Sequence, residues 1–325
     1  MRSSLWRWMR CSLQYSKCCG HFVLLLAAVM LAGLSGARQA AAAGPVRVLV
    51  WDEQQPAQKQ AYENFLGNQI ADHLAALPGL AARSVRLDDP DQGLSPDALD
   101  NCDVLVWWGH VRHRDIKPER ARQIVERIKR GQLSLVVLHS GHWSAPFVEA
   151  MGQRAQDDAL AALPAEDRAG ARLETVAAST DAPRYDSPLT PETQYRKPVG
   201  GPVVVKLRLP GCCFPAYRAD GKPSTLRVLL PDHPIAAGLP HEFTNEQDEM
   251  YDEPFHVPAP DAVVLEERWA GGEWFRSGSV WNIGRGKIFY FRPGHETFPV
   301  YKSPLMLKVI ENAVRWLGAE RAAGK

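Results

Sequence analysis

The feature that most constrains this chain is a set of apolar runs that alternate with polar, helix-like stretches. Such runs open the segments Val46–Trp51, Asp103–His110 and Ser134–Trp143, and the amphipathic stretch Lys117–Arg130 separates the last two. Strands buried on both faces of a parallel sheet read as nearly continuous apolar runs, and the crossovers between them are usually helices. The sequence therefore predicts an α/β fold with three layers and a mostly parallel, doubly wound sheet.

The middle of the chain departs from this alternation. Residues Gly152–Gly201 are rich in Ala, Asp and Pro and lack a strand period, so we predict an insertion, part helix and part loop, near one edge of the sheet. Beyond it, Val203–Leu209 and Thr225–Leu230 are predicted to be a pair of strands. Gly284–Lys287 is predicted to be a hairpin turn, and Pro304–Leu317 a terminal helix.

The N-terminus has the three parts of a secretory signal peptide. Residues Met1–His21 carry basic but no acidic side chains, Phe22–Leu34 is apolar, and the small residues that end at Ala43 offer a cleavage site. The alternative, a membrane anchor that is never cut, is less favoured because a spanning helix needs roughly 20 apolar residues. We therefore predict a signal peptide over 1–43 and export to the periplasm, with no membrane anchor left after cleavage.

The rest of the chain, predicted to be one α/β domain over 44–319 with a tail over 320–325, gives little sign of a macromolecular partner. Over all 325 residues, lysine plus arginine number 38 against 37 for aspartate plus glutamate, and this net charge of +1 does not favour nucleic acid. The cysteines Cys102, Cys212 and Cys213 lack the paired spacing of a zinc ribbon. Cys102, at the entrance of a predicted strand, is expected to be a buried small hydrophobe.

Polar side chains follow several of the predicted strands at the point where each strand ends. Open α/β sheets bind ligands outside the carboxyl ends of their strands, so we expect these residues on one rim. Neutral imidazoles with carboxylates nearby provide either the ligands of a divalent ion such as zinc or the groups of general acid–base catalysis. The residues concerned are Asp52, Glu53, His110, His113, His139, His142, His295 and Glu296.

Other interpretations of these residues stay open at this stage. A single histidine at a strand end is usually a hydrogen-bonded or half-exposed residue. The HSGH string that begins at His139 also lacks the helical HExxH spacing of a zinc protease. Ser140 occupies a position like that of the nucleophile in a strand–turn–helix elbow. The G-x-S-x-G frame is absent, however, so the alternative for Ser140 is a hydroxyl that stabilises a turn.

Longer strings along the chain carry a resemblance to a known family. VLVWDE, DVLVWWGHVRH, LVVLHSGHWS, EQDEMYDEPF, GGEWFRSG and GRGKIFYFRPGHETFPVY occur in this order between Val46 and Tyr301. Together they resemble the trehalose-utilisation, or ThuA-like, family, whose fold is similar to that of class I glutamine amidotransferases. In those enzymes a cysteine occupies the elbow after a strand, and a late His-x-Glu completes the catalytic triad.

The resemblance places His139 where the amidotransferases have their elbow cysteine, and His295, followed directly by Glu296, at the late histidine. Without the cysteine there is no thiolate to form a glutamyl thioester, so this chain should not be a glutaminase. The resemblance implies a role in the use of a trehalose-like disaccharide or a keto-glycoside. We expect a small carbohydrate as the ligand and no nucleotide cofactor. The alternative is a non-catalytic carbohydrate-binding or interaction protein on the same fold.

The resemblance and the strand ends together assign roles to individual residues. For catalysis we predict His139, His295, Glu296 and Glu249. For a divalent ion, zinc or similar, we predict His110, His139, His142 and His295. For substrate contact we predict Trp108, His110, Trp143, Tyr251, Arg276 and Arg292. Each assignment has an alternative. Glu249 and Tyr251 could belong to a polar loop whose groups are all hydrogen-bonded within the protein. The arginines could form structural ion pairs, and the tryptophans could be buried in the core.

We expect N-terminal sequencing of the exported protein to begin near Gly44, because the small residues before it form the cleavage site. A soluble cytoplasmic protein that retains Met1 would contradict the predicted signal peptide.

We also expect no release of ammonia from glutamine, since a histidine stands at the elbow position. The measurement is a coupled ammonia assay on the purified protein. Turnover at an ordinary enzymatic rate would show that the placement of His139 at the elbow does not exclude the glutaminase reaction.

Overall fold

The computed structural model describes residues 44–179 and 181–323. The predicted signal peptide over 1–43 lies outside these residues. Within the described ranges, no helix has both the length and the apolar character needed to cross a bilayer.

Strands and helices alternate along most of the described chain. The strands are β1 Val46–Asp52, β2 Leu80–Arg86, β3 Val104–Trp108, β4 Ser134–Leu138, β5 Arg172–Val176, β6 Glu192–Arg196, β7 Val204–Arg208, β8 Ala216–Arg218, β9 Ser224–Val228, β10 Glu242–Asn245, β11 Met250–Asp252, β12 Ala262–Trp269, β13 Trp274–Ile283 and β14 Gly286–Phe291. The helices are α1 Leu66–Ala75, α2 Pro96–Asp100, α3 Pro118–Lys129, α4 Ala145–Ala161, α5 Ala165–Arg168 and α6 Pro304–Ala323.

Nine of these strands form one central sheet in the order β10-β9-β12-β13-β14-β4-β3-β1-β2. The pairs β2-β1, β1-β3, β3-β4 and β4-β14 are parallel, and the pairs β14-β13, β13-β12, β12-β9 and β9-β10 are antiparallel. The predicted α/β fold with a mostly parallel sheet is confirmed, and four antiparallel strands extend the sheet on one side. The carboxyl ends of β1, β3, β4 and β14 therefore lie side by side at one edge.

Helices cover both faces of the sheet and give it the predicted three layers. Successive residues of a buried strand point to opposite faces. Val48 and Val50 of β1 accordingly pack in the core beneath α1 and α6, whereas Leu49 packs in the core beneath α3 and α4. This double burial is why the parallel strands were recognisable as continuous apolar runs.

The segment Gly152–Gly201 is more regular than its sequence suggested. Its first residues continue α4, and its later residues supply β5 and β6, which pair on either side of β7 in a separate three-stranded sheet. Val205 and Leu207 of β7 are buried together with Ala155 and Ala159 of α4. Most residues of β5 and β6 are exposed, so these strands lack the apolar alternation by which a strand is recognised.

One predicted pairing is wrong. Val203–Leu209 and Thr225–Leu230 do form strands, but they do not pair with each other: β7 pairs with β5 and β6, and β9 pairs with β10 and β12. The predicted hairpin turn at Gly284–Lys287 joins β13 to β14 as expected. The terminal helix is longer than predicted and runs through the beginning of the tail to Ala323.

Candidate functional site

His139 occupies the turn directly after β4, where the chain passes through a single 3-10 turn into α4. Its φ of +48° lies in the left-handed region, which residues other than glycine seldom adopt. The Tyr290 hydroxyl donates a hydrogen bond to the His139 carbonyl at 3.0 Å, and His139 Nδ1 lies 3.0 Å from the Arg292 carbonyl oxygen. A carbonyl accepts only from a protonated nitrogen, so Nδ1 of His139 carries a proton.

Three histidines from three strand ends come together at this edge. The ring centroids of His139 and His295 are 5.4 Å apart, and His110 lies 5.4 Å from His295 and 6.0 Å from His139. His139 Nε2 is 3.2 Å from the Glu249 carboxylate, and His295 Nδ1 is 2.9 Å from the Thr297 hydroxyl. His139 is fully buried and the other two rings are partly shielded, so the cluster is largely removed from water.

His110 and Glu296 form an ion pair at the edge of this cluster, with His110 Nδ1 2.9 Å from the carboxylate. Burial disfavours the charged imidazole, but the hydrogen bond and charge of Glu296 outweigh it and raise the pKa of His110. Burial also opposes ionisation of Glu296, yet the hydrogen bond from His110 lowers the pKa of that carboxyl to about 2. Both shifts favour a protonated His110 beside an ionised Glu296 at neutral pH.

A buried carboxylate holds the loop that carries His110. Glu53, directly after β1, accepts hydrogen bonds from the backbone N–H of Val111 at 2.9 Å and of Arg112 at 3.0 Å. Gly109 lies so close that a Cβ added there would approach the Glu53 carboxylate and the His113 ring at 3.4 Å. Glu53 therefore acts on the site through the position of the His110 loop.

Arg292, the residue after β14, lies at the centre of a buried ion network. Its guanidinium bonds both carboxylate oxygens of Glu267, with Nε 2.7 Å from one of them, and Nη2 lies 3.2 Å from Asp248. Ser224 and Ser277 donate further hydrogen bonds to Glu267. All three charged side chains are fully buried. Buried charges of this kind are tolerated only when paired and hydrogen-bonded, as they are here.

Asp248 connects this network to the histidines. Its carboxylate accepts hydrogen bonds from the backbone N–H of Gly294 at 2.8 Å and of His295 at 3.0 Å, and from the Asn245 amide at 2.9 Å. Burial alone would raise the pKa of Asp248, but the charge of Arg292 and these donors lower it, so the carboxylate is ionised. The backbone that carries His295 is thereby fixed relative to Arg292.

A cavity of about 220 Å³ borders the cluster. Its polar lining is formed by His110, His113, Ser140, His142, Glu249 and Tyr251. Its apolar lining is formed by Trp143, Ala182, Cys213, Phe214 and Tyr217. The Tyr251 hydroxyl connects the histidine cluster with the cavity lining, since it lies 3.4 Å from His139 Nε2 and 3.2 Å from the Ser140 hydroxyl. A ligand here would meet hydrogen-bonding groups and aromatic faces together.

Several residues predicted to bind substrate lie away from the cavity. Trp108 is fully buried beneath α1 and α6, and its Nε1 donates a hydrogen bond to the Gly294 carbonyl at 2.9 Å. Arg276 forms a two-pronged ion pair with Glu253, at 2.8 and 3.0 Å. Arg292 belongs to the buried network. Both arginines therefore form structural ion pairs, which was the alternative to substrate contact.

His142 lines the cavity but stands apart from the other three histidines. Its Nδ1 lies 2.6 Å from the Cys212 carbonyl, and its ring lies among the aromatic rings of Phe214 and Phe255. Among the described residues, the groups of histidine, cysteine and acidic side chains whose ligand atoms come within 4.8 Å of one another are His139, Glu249 and His295, and His110, His295 and Glu296. His142 belongs to neither group.

Four cavity residues were given no role in the sequence analysis: Ala182, Cys213, Phe214 and Tyr217. The last three belong to the string CCFPAY, whose only signal was its paired cysteines. Burial raises the pKa of Cys213 to about 11, so it is a thiol and not a nucleophilic thiolate at neutral pH. Burial and the charge of His110 lower the pKa of His113 to about 4, so its ring is neutral.

Comparison with known proteins places this geometry in a family. The family model described as trehalose utilisation, ThuA, matches residues 47–317. A solved structure from Bacteroides uniformis, described as ThuA-like, is similar to this chain at 15% identity and a TM-score of 0.50, over 85% of this chain and 93% of that one. Another ThuA-like structure, from Parabacteroides merdae, has 14% identity and a TM-score of 0.48, over 84% of this chain and 90% of that one. No curated protein matches.

Replacing Arg292 with leucine should strongly destabilise the protein. The change leaves Glu267 and Asp248 as unpaired buried charges, and breaking a buried ion pair in this way costs about 3–5 kcal/mol. Urea unfolding followed by circular dichroism measures the loss.

The matched control is Arg227→Leu, which removes an exposed ion pair with Glu242. Exposed pairs contribute roughly 0–1 kcal/mol, so the control should unfold at nearly the same urea concentration as the unchanged protein. Equal effects of the two substitutions would contradict the central role of the buried network.

Proposed function

Since the chain belongs to the trehalose-utilisation (ThuA) family, we propose that it is an enzyme acting on a trehalose-like disaccharide or a keto-glycoside. The observation that carries this proposal is the cavity, in which imidazole and carboxylate groups adjoin aromatic side chains. Sugars combine hydroxyl groups with apolar C–H faces. A lining with both kinds of partner suits them better than a uniformly polar or apolar one.

The ion pair of His110 and Glu296 supports an acid–base role at the cavity. His110 lines the cavity, and its raised pKa favours the protonated ring. A protonated imidazole can donate its proton to the departing sugar oxygen while water forms the new bond to the anomeric carbon, and the proton that this water releases restores the imidazolium. Glu296 would stabilise the imidazolium and hold the ring through Nδ1, which leaves Nε2 as the nitrogen that donates.

We further propose that His139, Glu249 and His295 hold a divalent ion such as zinc. Zinc bound at about 2.0–2.1 Å in a tetrahedral site brings its ligand atoms to about 3.3–3.4 Å from one another. The 3.2 Å between His139 Nε2 and Glu249 matches that spacing. A metal-binding histidine usually donates its other ring N–H to a carbonyl or carboxylate, and the bond from His139 Nδ1 to the Arg292 carbonyl provides this, with Nε2 as the nitrogen toward the ion. When bound, such an ion supplies Lewis-acid polarisation of a substrate oxygen.

The residues around this group have roles that do not depend on the ion. Tyr251, whose hydroxyl lies between His139 and Ser140, can donate a hydrogen bond to a sugar oxygen in the cavity. The neutral His113 can hydrogen-bond a sugar hydroxyl, since within the described part of the chain its Nε2 has no hydrogen-bond partner. The buried network behind the histidines excludes water from their far side.

The left-handed conformation of His139 supports a kinship with the glutamine amidotransferase fold. A residue at a sharp strand-to-helix elbow is held in a strained conformation so that its side chain projects above the sheet. His139 has that conformation at that point of β4. We propose that the elbow is retained and that histidine replaces the nucleophile. The N-terminal sequence supports the further proposal that the protein acts in the periplasm.

Replacing His139 with asparagine should abolish metal binding and sugar turnover together. Asparagine tolerates the left-handed backbone but removes the imidazole ligand. Glu249→Gln should have the same effect, because it keeps the shape of the side chain and removes the charge. The measurements are zinc content by atomic spectroscopy after dialysis, and product formation from trehalose and from a 3-keto-glycoside by chromatography.

The control is His241→Asn, at an exposed histidine remote from the cavity, which should keep both properties. A protein that binds sugar but turns over neither substrate, with zinc supplied, would indicate the non-catalytic alternative. Turnover that survives His139→Asn in a zinc-free protein would contradict the proposed metal site.

A further inference from the structure

We infer that Trp143 and Tyr217 form a second sugar subsite at the mouth of the cavity, which stacks the outer ring of a disaccharide while the inner ring meets the histidines. The inference rests on the proposed function, because it assigns the inner ring to the polar lining. It adds a substrate requirement: two linked rings bind better than one.

The cavity is small compared with the two linked rings of a disaccharide. Pockets that enclose most of a drug-sized ligand have volumes of roughly 300–1,000 Å³. The cavity beside the histidines has about 220 Å³, so it accommodates a small ligand such as a single sugar ring. A disaccharide bound there must extend beyond the cavity and lie against whatever borders its opening.

The side chains that border the opening are aromatic and exposed. Trp143 is 45% exposed and Tyr217 is 67% exposed, yet both line the same cavity as the buried Glu249 and Tyr251. Single exposed aromatic residues are common and need no explanation. Two of them that line one cavity together with polar groups place aromatic faces on the way from those groups to solvent.

The positions of both residues are fixed by elements that adjoin the histidine cluster. Tyr217 on β8 lies directly opposite Tyr251 on β11, and directly opposite residues of an antiparallel pair project to the same face. Tyr251 in turn lies 3.4 Å from His139 Nε2. Trp143 ends the turn that begins at His139, and its ring lies 5.8 Å from that of His142 in an edge-on arrangement.

The chemistry of these side chains fits the outer ring of a sugar. Tryptophan and tyrosine present a flat apolar face with a polar tip, which suits partners that are apolar on one side and hydrated on the other. Phe214, which lines the same cavity, is buried and its ring lies 4.1 Å from that of Tyr251, so this part of the lining is firmly packed. The outer ring would stay partly in water, where its remaining hydroxyl groups need no protein partner.

The test compares trehalose with glucose, one linked pair of rings against one ring, by titration calorimetry. The unchanged protein should bind trehalose more tightly than glucose. Trp143→Ala and Tyr217→Ala should each weaken trehalose binding by about tenfold, a change equivalent to about 1.4 kcal/mol, and leave glucose binding within about twofold. Trp143→Phe, which keeps an aromatic face, should retain most of the affinity for trehalose.

The matched control is Trp274→Ala, because Trp274 is 38% exposed but does not line the cavity; it should bind both sugars as the unchanged protein does. Equal losses for glucose and trehalose, or no loss for either, would overturn the subsite and leave the proposed function standing. Failure of the unchanged protein to bind either sugar would overturn both.

Discussion

The guanidinium group of Arg292 lies in the interior between the carboxylates of Glu267 and Asp248, and the arrangement of the site depends on this contact. Charges so deeply buried lose several kcal/mol of hydration each, and only near-complete pairing compensates for that loss. The same residue accepts a hydrogen bond from His139 through its carbonyl, while Asp248 binds the backbone of His295. One network therefore sets the relative positions of two strand ends.

The consequence is a cluster of histidines held close together with little freedom to rearrange. His139 and His295 are positioned by Arg292 and Asp248, and His110 is positioned by its pair with Glu296. A rigid polar cluster beside a small cavity is what precise orientation of a ligand requires. The aromatic side chains of Trp143 and Tyr217 beside it are more exposed to solvent.

The sequence predicted the parallel strands well because burial on both faces leaves an unbroken apolar run, as in Val104–Trp108. It also indicated which side chains follow those strands, and the structure brings His110, His139 and His295 together at one edge. It did not predict β5 and β6, since an exposed strand has no apolar alternation to detect. Nor did it distinguish a structural Arg292 from a ligand-binding one, because that depends on Glu267, which is remote from the motif that contains the arginine.

We propose that this buried network prepares His139, Glu249 and His295 to share one divalent ion. Anomalous diffraction at the zinc absorption edge, from crystals of the protein supplied with zinc, tests it most directly. The account predicts an anomalous peak about 2.0–2.1 Å from a nitrogen of each histidine and bonded to the Glu249 carboxylate. A map with no peak in this cluster, or with zinc bound only elsewhere on the molecule, would contradict it.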